Sequence, residues 1–329
     1  MSSLGSMSLR GSGRVLSDRR IFLLLCILVT GIAMSSISPY FLKADNLLSM
    51  TQFGAVIGLL ALGQTLVILG GGGGIDISVG SMLSLSGVAM GLLVERGMNV
   101  WQAVVFALFI GLALGAINGF LVTIVGIPAL ITTLGTLYLY GSAAQVLAGG
   151  QEITGFDHSG FPFLGTGTIA GVPTQVLLVL IPIYLIAARL MTRTKLGRRV
   201  YEAGNNDRAL RLVGGSPALV RLRLYCLSGL LAALAAVITN AWLLVARPGA
   251  GDGLELNSIT IAVLGGTYIL GGRGRASGTF LAIVLIVILN SGLQLAGVNP
   301  SWQSGVLGIV LILSILLNAV LLRRTGQRY

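Results

Sequence analysis

The sequence predicts an all-α, polytopic membrane protein with about ten transmembrane helices, interrupted by glycine-rich broken or re-entrant segments. Three observations carry this. Apolar residues make up 55% of the 329 positions. Charged residues make up 9%, against about 25% in ordinary globular chains. The apolar residues also gather into runs near the ~20 residues that carry a helix across hydrocarbon, and the charges lie between the runs. A soluble chain of this length would need far more charge to cover its surface, so lipid is the solvent for most of it.

The runs place spans at about 21–38, 50–69, 77–94, 100–125, 127–148, 172–191, 224–246, 257–270, 276–297 and 303–322. The first follows Arg14, Arg19 and Arg20, as a signal peptide would. Its apolar run is long for that role and no A-x-A site follows, which favours an uncleaved helix. The fourth and fifth are separated by little more than Gly126, Ile127 and Pro128, a tight hairpin. The eighth is short and broken by glycine.

Charge tests the count. With the N-terminus inside and ten alternating spans, all but Lys43, Arg96 and Arg247 of the 21 basic residues fall inside. Such a bias marks the cytoplasmic side. It divides the chain into a cytoplasmic tail (1–20), a membrane domain (21–322) and a second cytoplasmic tail (323–329). An outer loop at about 149–171 holds Glu152, Asp157 and His158 but no Lys or Arg. An inner loop at about 192–223 is strongly basic. Asn205, Asn206 or Asp207 can cap a helix there, Ala209 to Leu212 favour it, and Gly214-Gly215 then Pro217 end it. Two readings stay open for this loop: a plain basic connector, or a short helix that docks a partner.

Composition excludes several classes. The net charge of +11 forms no basic stripe with interleaved aromatics, so nucleic acid is not the partner. One histidine and two distant cysteines, Cys26 and Cys226, give no metal set and no disulfide framework. No Gly-Lys-Ser or Gly-Lys-Thr opens a helix, so there is no phosphate loop. No nucleophile has a base in sequence reach, so no catalytic residue is assigned.

Residues 69–81, Leu-Gly-Gly-Gly-Gly-Gly-Ile-Asp-Ile-Ser-Val-Gly-Ser, cannot continue a helix, because each glycine costs about 1 kcal/mol relative to alanine. Asp76 follows the break, where a carboxylate can cap the next helix. It is either part of a capped boundary turn or a re-entrant element near a gate, since irregular backbone at membrane depth needs protein or water around it. A second break runs from Leu264 to Arg275, and its Leu-Gly-Gly-Thr echoes Leu62-Gly63-Gln64-Thr65, a faint internal repeat. Gly111, Gly115 and Gly119 share one helix face and allow close packing. Pathway or gate candidates are Asp76, Ser78, Asn118, Thr132, Thr133, Thr136, Asn290 and Gln294; uncharged hydroxyls and amides suit a neutral polyhydroxylated solute. Each could equally serve as an interhelical bond.

These blocks resemble the permeases of bacterial carbohydrate ABC importers, the group that includes ribose, rhamnose and autoinducer-2 permeases. Gly74 to Ser81 resembles the family's Gly-Ile-Asp-Leu-Ser-Val-Gly-Ser signature. Gly115 to Gly119, Pro128 to Thr136, Thr194 to Gly214, and Val263 to Thr279 match further blocks in order. Leu137 to Tyr140 and Leu293 to Gly297 lean toward the autoinducer-2 branch. The five glycines before Ile75 depart from the family's usual two.

The resemblance implies the permease subunit of an importer in the bacterial inner membrane, for a monosaccharide or sugar-like solute. It implies a second permease copy or paralogue, two cytoplasmic ATPase subunits that hold ATP and Mg, and a periplasmic sugar-binding protein. It implies that Gly204, Asn205, Asp207, Arg208, Ala209, Arg211 and Gly214 belong to a loop that couples to the ATPase. No cofactor is expected on this chain. The rival is an ion-coupled carrier of a small polar solute. The lack of a charged residue clearly at mid-span weighs against it.

Overall fold

A computed structural model describes residues 19–157 and 160–324. Its helices are α1 (Arg19–Ile37), α2 (Ala44–Leu69), α3 (Val79–Glu95), α4 (Val100–Phe120), α5 (Ala129–Leu147), α6 (Phe161–Thr166), α7 (Ile181–Arg193), α8 (Lys195–Asn205), α9 (Asp207–Leu212), α10 (Pro217–Leu243), α11 (Leu254–Leu264), α12 (Ala276–Leu295) and α13 (Pro300–Arg324). The only sheet among the described residues is a two-stranded antiparallel ribbon, β1 (Thr168–Ile169) with β2 (Val172–Pro173). His158 and the tails 1–18 and 325–329 lie outside the described residues.

Each apolar run coincides with a helix. Six helical stretches have the length and hydropathy to cross a membrane on their own. The eighth run does not: α11 has 11 residues, about 17 Å at the helical rise and half a hydrocarbon core. Gly265 and Gly266 end it, the latter at a φ of +95° that only glycine tolerates well. Likewise α3 has only 17 residues, because the chain needs residues 70–78 to re-enter the bundle before it can turn helical.

The core is α2. It is apolar around its whole circumference, as a helix enclosed on every side must be, and 94% of its spanning window is buried. It packs against α10, α11 and α12, while α10 also seats α3 and α4. The expected small-residue seam is there. A Cβ on Gly111 would overlap Ala233 and the Gly229 carbonyl, and one on Gly115 would overlap the Tyr225 carbonyl. Glycine is what lets α4 and α10 approach. At the other extreme, only 6% of the window of α1 is buried, so this helix is peripheral.

The turn between α4 and α5 is as tight as expected. A wider π turn, Leu121–Val125, ends at Gly126 (φ +86°), and Pro128 then stops the ladder. The two helices do not pair as a hairpin, however: α5 packs chiefly on α3. Pro182 has a comparable effect in the sixth run. It lies in the first turn of α7, behind a π turn, Gln175–Leu180, because it removes one ladder donor.

Candidate functional site

Two polar assemblies stand out. The first surrounds Asp76, which is fully buried. After α2 the glycines turn the chain back alongside the last turns of that helix. Gly71, Gly72 and Gly73 hold φ of +68°, +67° and +71°, a left-handed run that glycine adopts at least cost. The main chain of Asp76 then lies beside Gln64. The Gln64 amide nitrogen donates to the Asp76 carbonyl at 2.9 Å, and its oxygen accepts from the Asp76 N–H at 3.3 Å. One side chain thus replaces two missing ladder bonds, which makes broken backbone tolerable inside a bundle.

The Asp76 carboxylate is a hub. Its Oδ1 accepts from Ser78 N–H at 3.1 Å and Ser78 Oγ–H at 2.7 Å, and its Oδ2 accepts from Ser228 Oγ–H at 3.1 Å. Asn118 Nδ2 donates to Ser78 Oγ at 2.7 Å, and the Tyr140 hydroxyl donates to the Leu114 carbonyl at 3.2 Å. Thr133 Oγ1 reaches the Ile75 carbonyl at 3.3 Å. Hence α2, α4, α5 and α10 all meet the segment that opens α3. Ser78, not Asp76, precedes the first helical residue of α3. The carboxylate satisfies the Ser78 amide as an Asx turn does. The interior therefore does hold an ionisable side chain, although neither flank of the glycine run reads as mid-span in sequence.

Asp76, Ser78, Asn118 and Thr133 thus come together. Thr136 bonds only to the Thr133 carbonyl, at 3.4 Å, and Thr132 Oγ1 is buried without a partner. Asn290 Oδ1 on α12 is likewise buried and unpartnered, and Gln294 is exposed at the end of that helix. These last two stand apart from the Asp76 assembly. Gln64, noted in the sequence only as a polar residue within a span, and Ser228, not noted at all, also belong to the assembly; nothing local distinguishes them from other polar residues in apolar helices.

The second assembly joins the basic loop to both glycine breaks. Thr194 caps α8, and Asn206 caps α9 by accepting from Arg208 N–H at 2.9 Å and Ala209 N–H at 3.2 Å. Of the three candidate caps, Asn206 is the one used. Ser216 and Pro217 start α10. Gly204 lies against Leu69 and Gly272, and a Cβ there would overlap both main chains; a Cβ on Gly271 would overlap Gly71. The Gly272 N–H donates to the Leu69 carbonyl at 3.0 Å. Asn205 Nδ2 reaches the Gly272 carbonyl at 3.4 Å, and the Tyr201 hydroxyl donates to the Gly274 carbonyl at 2.9 Å. Burial raises the Tyr201 phenol above its ordinary range, which keeps it a donor.

Arg221 on α10 staples the assembly. Its Nη1 and Nη2 meet the Asp207 carboxylate at 2.9 and 2.6 Å, Nε donates to the Gly70 carbonyl at 3.0 Å, and Nη2 also reaches the Ala203 carbonyl at 3.3 Å. A planar guanidinium suits such a bidentate role, and lysine does not. The two glycine turns do correspond, but not in the register of the faint repeat. Leu62 to Thr65 lie inside α2, whereas Leu264 closes α11. The segments that meet are Leu69-Gly70-Gly71 and Leu270-Gly271-Gly272. Beyond the staple, Arg208, Ala209 and Arg211 are exposed, as are Leu212 (83%) and Val213 (71%).

Comparison with known proteins identifies the family. Residues 46–315 match the model of a family described as the branched-chain amino acid transport system / permease component. The chain belongs to this family. Curated relatives include the ribose import permease proteins RbsC of Escherichia coli K12 and of Bacillus subtilis 168. Each is 38% identical over 298 residues, covering 90% of this chain and 92% and 91% of theirs. The autoinducer 2 import system permease protein LsrD of Klebsiella pneumoniae is 36% identical over 311 residues, covering 93% of both chains. These identities do not favour the autoinducer-2 branch. A solved chain described as part of a metal-chelate type ABC transporter, in an inward-facing conformation, shares the fold at a TM-score of 0.50. It is 16% identical, with 93% of this chain and 98% of that one covered.

As a member of this family the chain is a membrane permease component and not a catalytic subunit. Membership also removes the ground for reading it as an ion-coupled carrier.

Proposed function

We propose that the chain is one of two permease subunits of an ATP-driven importer, carrying a monosaccharide or sugar-like solute handed over by a periplasmic binding protein. Ten passes, with both termini in the cytoplasm, fit the basic residues, the eighth being completed by the irregular chain on either side of the short α11. In this orientation α8 and α9 face the cytoplasm, where a separate ATPase subunit binds them and holds ATP and Mg. The sugar assignment draws on the ribose and autoinducer-2 relatives, because the family description alone would also admit branched-chain amino acids.

One observation carries the coupling role: α8 and α9 rest on both glycine turns while their outer side leaves Leu212 and Val213 exposed. Two large apolar side chains held out by a basic aqueous loop mark a contact surface. Motion of that surface passes through Gly204 and Arg221 to the ends of α2, α11 and α12, and from residues 70–78 to α3. The Asp76 hub keeps that segment rigid and gives alternating access a solid lever. Binding on either face shifts the two states only through its differential affinity for them.

Co-purification tests this. The full chain should bring down an ATPase subunit, and Arg208→Ala with Arg211→Ala should release it while the permease stays folded. Transport of a radiolabelled sugar by the isolated chain, without ATP, would refute the proposal.

A further inference from the structure

Two of the short helices start against one another deep in the bundle. Gly80, in the first turn of α3, and Gly251, just before α11, meet main chain to main chain: a Cβ on either would overlap the other's carbonyl. The Gly251 N–H donates to Ser84 Oγ at 3.1 Å, which pins the crossing. In the proposed orientation its depth follows from helical rise. From Ser84 to the outer end of α3 at Glu95 is about 17 Å, and from Glu255 to the inner end of α11 at Leu264 about 14 Å. Together these lengths fill the ~30 Å of hydrocarbon, so the crossing lies near its middle.

At that depth the chain carries charge on an open face. Asp252 and Gly253 are exposed, Glu255 is half-buried and Leu256 is 59% exposed. Glu255 Oε1 accepts from the Gly253 N–H at 3.2 Å, and a Cβ on Gly80 would also meet Glu255 Oε2. Both helices thus bring their N-terminal ends to Glu255, which favours a carboxylate there. No cation pairs with Asp252 or Glu255 among the described residues.

Lipid does not suit this face. Irregular backbone at membrane depth must be enclosed by protein or wetted, and the same holds for ionisable groups. Nor does a second copy of the chain suit it. In this orientation the basic residues off the cytoplasmic side are Lys43, Arg96 and Arg247. Lys43 and Arg96 flank the outer ends of α2 and α3, and Arg247 pairs with Glu152. A second copy would therefore bury two carboxylates without a cation, which is costly. Water is what remains.

We propose that the solute path runs along this face, and that Asp252 and Glu255 make it an acidic passage that admits neutral polyhydroxylated solutes and turns back anions. Carboxylates beside a pore select against negative charge in this way. Asp76, a few residues before Gly80, is fully buried and supports the passage from behind. The inference deepens the permease reading and rests on it for orientation.

Charged thiol reagents test this without a sugar. Leu256→Cys is made in the full chain with Cys26 and Cys226 replaced by serine, and the protein is held in lipid nanodiscs so that both faces are open. It is treated with a positive and a negative methanethiosulfonate, each rate being divided by that reagent's rate with a free thiol. The positive reagent should be favoured about tenfold, because carboxylates beside the thiol attract one reagent and repel the other. Asp252→Asn with Glu255→Gln should bring the ratio close to one. Phe109→Cys, midway along α4 and also exposed, should react with neither reagent, since it faces lipid. If Leu256→Cys labels only after denaturation, the face is covered and the proposal fails. A ratio near one in the parent, or a ratio that survives the neutral pair, would overturn the acidic selection. Labelling is read without the ATPase, so these failures leave the permease assignment standing. A reactive Phe109→Cys would instead overturn the membrane placement on which both readings stand.

Discussion

At the scale of single residues, Asp76 has the sharpest consequence. Three hydrogen bonds converge on its two oxygens in a fully buried place. Asp76→Ala strands the Ser78 amide and two hydroxyls, and each stranded group costs about 1–3 kcal/mol. Thermal melting of the purified protein should therefore fall by several degrees. Asp76→Asn keeps Oδ1 as an acceptor and lets the new amide donate to Ser228, so its melting point should stay close to that of the parent. An equal loss in both variants would mean that the charge, and not the hydrogen-bond hub, is what the site needs. The sequence placed Asp76 correctly just after a break. Its two side-chain partners were not legible together: Ser228 lies 152 residues away, and nothing in a serine's neighbours marks which carboxylate it will meet.

Among elements, the contact of α8 with the two glycine turns separates two kinds of glycine. Gly73 needs a positive φ but has open space around it, so Gly73→Ala carries only the left-handed penalty of about 1–2 kcal/mol. At Gly204 the neighbours are main chain on both sides, which cannot swing away. Gly204→Ala should therefore push α8 off the turns and uncouple ATP hydrolysis from uptake, with ATPase activity retained and transport reduced about tenfold or more, whereas Gly73→Ala should transport nearly as well as the parent. Assays of both activities in proteoliposomes check this. The elements themselves were largely readable. Long apolar runs betray spans because hydrocarbon demands them, and Asn206, Gly214 and Pro217 punctuate the basic loop through ordinary capping and turn chemistry. The short α11 and the separation of α4 from α5 were not readable. Both depend on which helix supplies the neighbouring surface, and the α4–α5 turn is equally tight in either arrangement.

For the whole molecule, a single arrangement links an exposed surface to the interior. The exposed Leu212 and Val213 lie at the end of α9 and just beyond it, Asp207 ties α9 to Arg221, and Gly204 ties α8 to the end of α2 and to the turn before α12. Ile75, Asp76 and Ser78 then bond their segment to α2, α4, α5 and α10. The sequence holds no phosphate loop, so any ATP that powers transport is hydrolysed on another chain. The proposed route for coupling arises only where residues near 70, 204, 221 and 272 meet in space.

The central claim is that the loop carrying α8 and α9 lies in the cytoplasm beneath an ATPase. A single cysteine at Leu212, in a chain with Cys26 and Cys226 replaced by serine, tests it most directly with a membrane-impermeant maleimide. Intact cells should leave it unlabelled, inverted vesicles stripped of the ATPase should label it, and adding the ATPase back should protect it. Labelling from outside intact cells would contradict the account.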